Sequence, residues 1–404
     1  MSTATTAFAP DDPDFVRDPY PALAALRAGP PVVYDEATDH WLVARHEHVN
    51  ATLRDRRFGR TYHHLATDAE MGREAAPGWH EPFWTLIRGG LLDMEPPDHT
   101  RVRGLLTKAF TPRMVENLRG PITRITSRLA DVAAELGEFD LLATYAEPLP
   151  VEIIAELLGV PEPDRHLLRP WSADICRMYE LHPTEEDARV AVAASRSFTD
   201  YLRDLSRTRR VDPRDDLISA MTQVVLEGER LSEQELIGTC VLLLNAGHEA
   251  TVNMTGNGWW SLFRNPEQLA RLRADHGLVP SAVEEILRYD TSAPIFERWV
   301  LEDSVIGGVP VPKGAELGLL FAAANRDPEV FPEPDRMDLA RDPNPHLTFG
   351  AGIHFCLGAP LARIELQTSL RTLLERFPRM ELVEEPTWKP GFVLRGLEGI
   401  RVRI

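Results

Sequence analysis

The chain has 404 residues, 43% of them hydrophobic, and its 44 basic against 62 acidic side chains leave a net charge of −18. That acidity argues against general nucleic-acid binding and against a polybasic membrane anchor. The three scattered cysteines, Cys176, Cys240 and Cys356, fit neither a disulfide framework nor a zinc cluster.

Met1 to Asp12 carries no basic-plus-apolar signal and no apolar run approaches transmembrane length, so a soluble cytoplasmic protein is expected. Asp14 to Arg27 reads as a short amphipathic helix. Strand-like runs follow at Pro31 to Tyr34 and Trp41 to Ala44, joined by a polar turn, and His46 to Arg54 is the next helix. From Phe58 to Gly90 periodicity fails, while Trp79, Phe83 and Trp84 recur within a long irregular segment of the kind that is often functional. A helix opens after Pro96-Pro97 with Asp98 as its expected cap, and His99 and Arg103 stand four apart on one face. Such a pair can grip two carboxylates.

Met114 to Arg210 reads as mostly helical, interrupted at Leu142 to Leu149 and Pro161 to Pro163. Val151 to Leu158 is apolar enough for a buried helix, and Pro170 to Pro183 falls between helical runs. Ser232 and Glu235 form a capping box for a long helix ending at Asn265-Pro266, roughly 48 Å at 1.5 Å per residue. Leu236 to Ala246 is apolar on almost every side, which marks a buried helix. Polar groups then appear inside it, as Asn245-Ala246-Gly247-His248-Glu249-Ala250-Thr251, and buried polar groups need partners or a function. A zinc-protease reading of His248-Glu249 fails because Val252 stands where the second histidine is required.

Ala282 to Tyr289 reads as a short helix with Glu285 and Arg288 three apart. Strands are expected at Ser292 to Phe296, and at Val305 to Val311 and Glu316 to Ala322 as the completion of the small sheet, with a terminal hairpin from Gly391-Phe392-Val393-Leu394. Between them lies Phe349-Gly350-Ala351-Gly352-Ile353-His354-Phe355-Cys356-Leu357-Gly358, a cysteine among glycines at the mouth of a helix running from Ala359 to Phe377. The helix dipole and unpaired N–H groups favour thiolate there, and the glycines let the backbone pass close to something bulky. A dinucleotide loop is excluded, since no third glycine arrives on schedule.

Phe349, Gly350, Gly352, His354, Cys356 and Gly358 match the spacing of the haem-binding signature, and the chain resembles the cytochromes P450 along nearly its whole length. The resemblance implies one mainly α domain over residues 1–404 with a minor β-sheet subdomain, the triangular prism of that family with a long central helix over the haem. Its cofactor is haem b, iron protoporphyrin IX, with the Cys356 thiolate as axial ligand pushing electron density towards O–O cleavage. His99, Arg103 and Arg298 take the places of propionate binders. Ala246, Gly247 and Glu249 match the oxygen groove, Glu249 at the position that relays protons. Ala250 stands where threonine is usual, and the hydroxyl of Thr251, turned about 100° further round the helix, need not face the iron.

Substrate or ordered water supplying that hydroxyl, an atypical oxidation such as phenol radical coupling, and leaky oxygen activation all remain open, as does a haem-thiolate protein that binds a ligand without turnover. Glu285, Arg288 and Arg336 match the structural ion-pair network. Trp79, Phe83, Trp84, Ala293, Ile295, Phe296, Val393 and Leu394 are candidate pocket residues. The implied partners are O2, a small hydrophobic organic substrate, and a ferredoxin with its NAD(P)H-dependent reductase. Lys108, Arg113 and Arg363 are candidates for a basic dock, and the protein is expected to act as a monomer without nucleic acid or membrane.

Overall fold

A computed structural model describes residues 8–404, so the first seven residues of the Met1 to Asp12 segment lie outside it. The described chain is mostly helical with a minor share of strand. It packs as two compact units. One comprises Met1–Gly72, of which 8–72 are described, with Ala130–Ala146 and Ala250–Ile404; the other comprises Arg73–Leu129 and Glu147–Glu249.

The first unit holds every strand of the described residues. Ten are present: β1 (Val33–Asp35), β2 (His40–Val43), β3 (Phe58–Gly59), β4 (Glu138–Asp140), β5 (Phe296–Val300), β6 (Ser304–Ile306), β7 (Val309–Val311), β8 (Glu316–Leu319), β9 (Glu381–Leu382) and β10 (Arg401–Arg403). The main sheet runs β1-β2-β8-β5-β3, with β2 and β8 parallel and the other pairs antiparallel. Val43, Leu317, Leu319 and Val300 bury one core with Val49 and Leu53 of the helix His46–Arg54.

Several expected elements differ, each for a local reason. The first helix is two, Pro13–Arg17 and Tyr20–Ala28, because Pro19 forces Asp18 out of the helical region to φ −142°. The strand expected at Ser292 to Phe296 begins only at Phe296, since Pro294 has no N–H for a ladder. Val305 to Val311 does not complete the main sheet. It closes as its own β6–β7 ribbon over Gly307 and Gly308, both at positive φ, while β8 alone enters the sheet. The terminal hairpin, expected to begin at Gly391, opens earlier, at the Trp388–Leu397 bridge, while Val393 and Leu394 lie in its turn, as expected.

The second unit is helical among its described residues. Glu81–Arg88 is a helix inside the segment expected to be irregular; two turns are too short for a periodic signal. Asp98 does not cap Asp98–Ala109: Pro97 occupies the cap and Asp98 lies in the first turn, exposed, 3.4 Å from Arg101. Leu142–Ala146, in the first unit, is a π-helical turn and not a break, and the strand β4 just before it was not anticipated. Trp171, expected between helices, lies in Leu168–Cys176 and stacks on Phe198 at 5.1 Å.

The long helix Glu233–Arg264 spans 32 residues, as the capping box predicts: Ser232 N–H donates to Glu235 and Glu235 N–H to the Ser232 hydroxyl. At Gly238 it packs directly on Gly89-Gly90, where a Cβ would fall 2.3 Å from the Gly89 carbonyl carbon. Gly238→Ala should therefore cost about 1–3 kcal/mol of stability, read as a lowered thermal midpoint; an unchanged midpoint would show that this contact gives way freely.

Candidate active site

The cysteine loop belongs to the first unit. Gly350 and Gly352 adopt φ of 67° and 71°, and a Cβ on Gly352 would strike the Leu53 carbonyl oxygen at 2.3 Å. The loop thus turns in a left-handed sense and presses on the end of the helix His46–Arg54. Phe349 carbonyl accepts the Cys356 N–H at 3.0 Å, and His354 ends a short 3₁₀ turn. The helix Ala359–Arg376 then begins at Gly358 with no side-chain cap and Pro360 in its first turn, leaving backbone donors open beside a half-buried Cys356. Of the other thiols, Cys240 is fully buried, and burial pushes its pKa far above the usual range, so it stays protonated.

Behind the loop stand two charge networks. Glu285 and Arg288 are completely buried and paired through two contacts of 2.7 Å. Glu285 also accepts from Asp338 N–H, Asn344 Nδ2 and Arg341 Nε. Arg341, 9% exposed at its side chain, is the third charged member. Arg336, assigned that place from sequence, instead pairs with Glu333 at 2.7 Å, is 57% exposed, and contributes only its backbone carbonyl. In the second network Arg363 holds Glu284 at 2.7 and 2.8 Å and lies over the Phe349 ring at 4.6 Å. Burial would raise the Glu284 pKa, but His346 and Arg363 outweigh it and bring it down to about 2. Arg363 is thereby tied to Glu284 with about a third of its side chain still exposed, whereas Lys108 and Arg113 are exposed on the surface.

Glu365, on the helix that follows Cys356, is fully buried with one oxygen lacking a hydrogen bond, and burial pushes it up to about 8. A raised carboxyl stabilises the fold below its unfolded value near 4.5 and that contribution is lost as pH climbs to about 8. Wild-type stability should fall by up to about 1.4 kcal/mol per pH unit across that window, and Glu365→Gln should flatten the dependence. Denaturant midpoints across the same window read it; parallel curves for the two proteins would contradict it.

The long helix carries a patterned face. Leu242, Leu243, Ala246, Gly247, Glu249 and Ala250 are accessible to different degrees, at steps of three and four residues, while Leu244, Asn245, His248, Thr251 and Val252 are buried. Ala246 is the most open. Gly247 also satisfies packing, since a Cβ there would lie 3.2 Å from Ile154 Cδ1. Glu249 lies 3.6 Å from His248 Nδ1, and Asn245 donates to the Tyr179 hydroxyl at 3.0 Å. Thr251 is 6% exposed and off the open face, as the helical period predicts.

His99 is buried on Asp98–Ala109, with Arg103 half-buried one turn on, in the second unit. Arg298 is buried on β5 in the first, donating to the Glu297 carbonyl at 2.9 Å and stacking over Phe296 at 5.0 Å. Among the pocket candidates, Phe83 is 1% exposed and edge-on to Trp84, so it is a core residue. Ile295 is equally buried, and its Cδ1 lies 3.0 Å from where a Cβ on Gly318 of β8 would sit. Trp79 is 38% exposed, with Arg189 over its ring at 5.2 Å. Trp84, Ala293, Phe296, Val393 and Leu394 are partly accessible. Within the first unit, a half-exposed thiol before an uncapped helix start and the buried guanidinium of Arg298 are groups that suit a thiolate-ligated haem and one of its carboxylates; within the second, His99 and Arg103 stand one turn apart on one helix.

Comparison with known proteins gives the family and the fold. The Cytochrome P450 family model matches residues 172–395. Cytochrome P450 107B1 of Saccharopolyspora erythraea is 40% identical over 415 residues, covering 99% of both chains. The 6-deoxyerythronolide B hydroxylase of the same organism is 37% identical over 393 residues, covering 96% of each. Among solved structures, P450BioI in complex with hexadec-9Z-enoic acid ligated acyl carrier protein aligns with a TM-score of 0.90 at 34% identity, over 97% of this chain and 99% of that one.

Proposed function

Since the chain belongs to the cytochrome P450 family and is a haem-thiolate monooxygenase, we propose that it oxidises a hydrophobic secondary metabolite with help from the substrate's own hydroxyl or an ordered water. Electrons come from a separate ferredoxin and its NAD(P)H-dependent reductase, and the protein works as a cytoplasmic monomer. Bound haem supplies reductive activation of O2 and transfer of one oxygen atom.

The protein's residues do the rest. Cys356 holds the iron through its thiolate, in a loop shaped by Phe349, Gly350, His354 and Gly358. His99, Arg103 and Arg298 neutralise the haem carboxylates. Ala246 and Gly247 keep one helix face low, and Glu249 at its edge passes protons from the solvent side. Ala293, Phe296, Val393 and Leu394 offer apolar surface to the substrate. The hydroxylase relative acts, by its name, on 6-deoxyerythronolide B, which supports a secondary metabolite as the substrate class.

One observation carries the assisted-proton reading: Ala250 lies on the open face with only a methyl, while the Thr251 hydroxyl is buried off it. A hydroxyl there has to come from a group other than the side chains at 250 and 251. Ala250→Thr would crowd that donor, so turnover should fall about 10- to 100-fold without a gain in product formed per NADH. The assay is product against NADH consumption with a surrogate ferredoxin pair. A rise in that ratio at undiminished turnover would overturn the reading and favour leaky oxygen activation in the wild type.

A further inference from the structure

A group of metal-ligating side chains on the main sheet stands apart from the residues assigned above. His40 ends β2, Glu316 begins β8, and Glu297 lies on β5, so three adjacent strands contribute one residue each. The register puts them on one face: Trp41 pairs with Leu317, which sets His40 beside Glu316, and Glu297 pairs with Gly318. One ligand atom from each lies within 4.8 Å of the others, and His40 Nε2 is 3.9 Å from a Glu316 oxygen.

The histidine is prepared for a metal. It is 93% buried, being 7% exposed, and its Nδ1 sits 2.5 Å from the Thr38 carbonyl oxygen, which can only accept. Nδ1 therefore carries a proton, which leaves Nε2, 3.9 Å from a Glu316 oxygen and without a hydrogen-bond partner, as the ring atom placed to meet a metal. An imidazole whose second nitrogen donates to a backbone carbonyl is the usual support of a metal-bound histidine. The Thr38 carbonyl is itself held: buried Asp35 accepts both the Thr38 N–H at 3.0 Å and its hydroxyl at 2.8 Å, which fixes the β1–β2 turn.

We propose that His40, Glu297 and Glu316 bind a zinc ion, with water completing the coordination. Ligand atoms around tetrahedral zinc are about 3.4 Å apart, given bonds of about 2.0–2.1 Å. Small side-chain rotations of the two half-buried glutamates close the remaining gap. Nitrogen with carboxylate oxygens at three corners suits zinc better than magnesium, which prefers an all-oxygen shell. Arg60 competes for the site, its Nη1 being 3.5 Å from a Glu297 oxygen, longer than a normal N–H···O bond. It can keep that oxygen while the other turns to the metal. A bound ion would tie β2, β8 and β5 together and raise stability by mass action.

The test uses untagged, haem-loaded protein washed with chelator, then dialysed against zinc alone, with bound metal measured by elemental analysis and the thermal midpoint recorded. Wild type should hold one zinc more per chain than Glu316→Gln, and zinc should raise only the wild-type midpoint. Glu297→Gln, at the more open edge, should bind more than about tenfold weaker, and it keeps the test decisive if His40→Asn does not fold. The haem spectrum should be the same in all variants, which separates this site from the oxygen chemistry. Equal zinc content in wild type, Glu316→Gln and Glu297→Gln, or none in wild type, would overturn the assignment and leave the group as a His40–Glu316 ion pair.

Discussion

Glu285→Gln is expected to destabilise the protein by about 3–5 kcal/mol, among the largest single-residue losses this fold can show. The substitution keeps the shape but removes the charge that Arg288 and Arg341 meet, and both guanidinium groups are buried at side-chain exposures of 0% and 9%. Two cations would then face each other without a counter-ion. Arg288 also donates to the carbonyls of Asn325 and Pro334, so its displacement would disturb the segments leading to the cysteine loop. The readout is the denaturant midpoint with haem retention followed in parallel. Arg336→Gln should cost less than about 1 kcal/mol, because its ion pair is exposed. The two variants separate the observed network from the one expected from sequence; equal losses would mean that Arg336 belongs to it after all.

Cys356→Ser should remove turnover while leaving the fold largely in place. The side chain is half-buried in the loop just before a helix whose cap is Gly358, and serine differs from cysteine only by the smaller oxygen in place of sulfur, so little packing is lost. What it lacks is a thiolate. Loss of an outer partner already costs a metal site about 10- to 100-fold, and loss of the ligand itself should exceed that. Product formation with a surrogate ferredoxin pair measures the effect. A variant retaining more than a tenth of wild-type rate would contradict the role of Cys356.

The features that sequence shows clearly are the local ones. Ser232 and Glu235 cap the long helix as their spacing requires, and Glu285 pairs with Arg288 because three residues is nearly one helical turn. The same logic separates Ala250, on the open face, from Thr251. Arg341 could not be found this way: it meets Glu285 across more than fifty residues of chain, and nothing local distinguishes it from Arg336. The helix Glu81–Arg88 was too short to show a period, which is why Phe83 read as a loop aromatic instead of a core residue. Glu365 gives no signal in the sequence, since a glutamate beside Ile364 and Leu366 looks like a solvated position until the surrounding helices are placed. The His40 group needed the strand order, which brings β8 between β2 and β5 against their order in the chain.

The reduced carbon monoxide difference spectrum of the wild-type protein tests the central claim most directly. With Cys356 as thiolate ligand, the thiolate-haem Soret band should dominate and should disappear in Cys356→Ser. A wild-type spectrum without that band, or one that survives the substitution, would contradict ligation by Cys356 and the monooxygenase chemistry built on it.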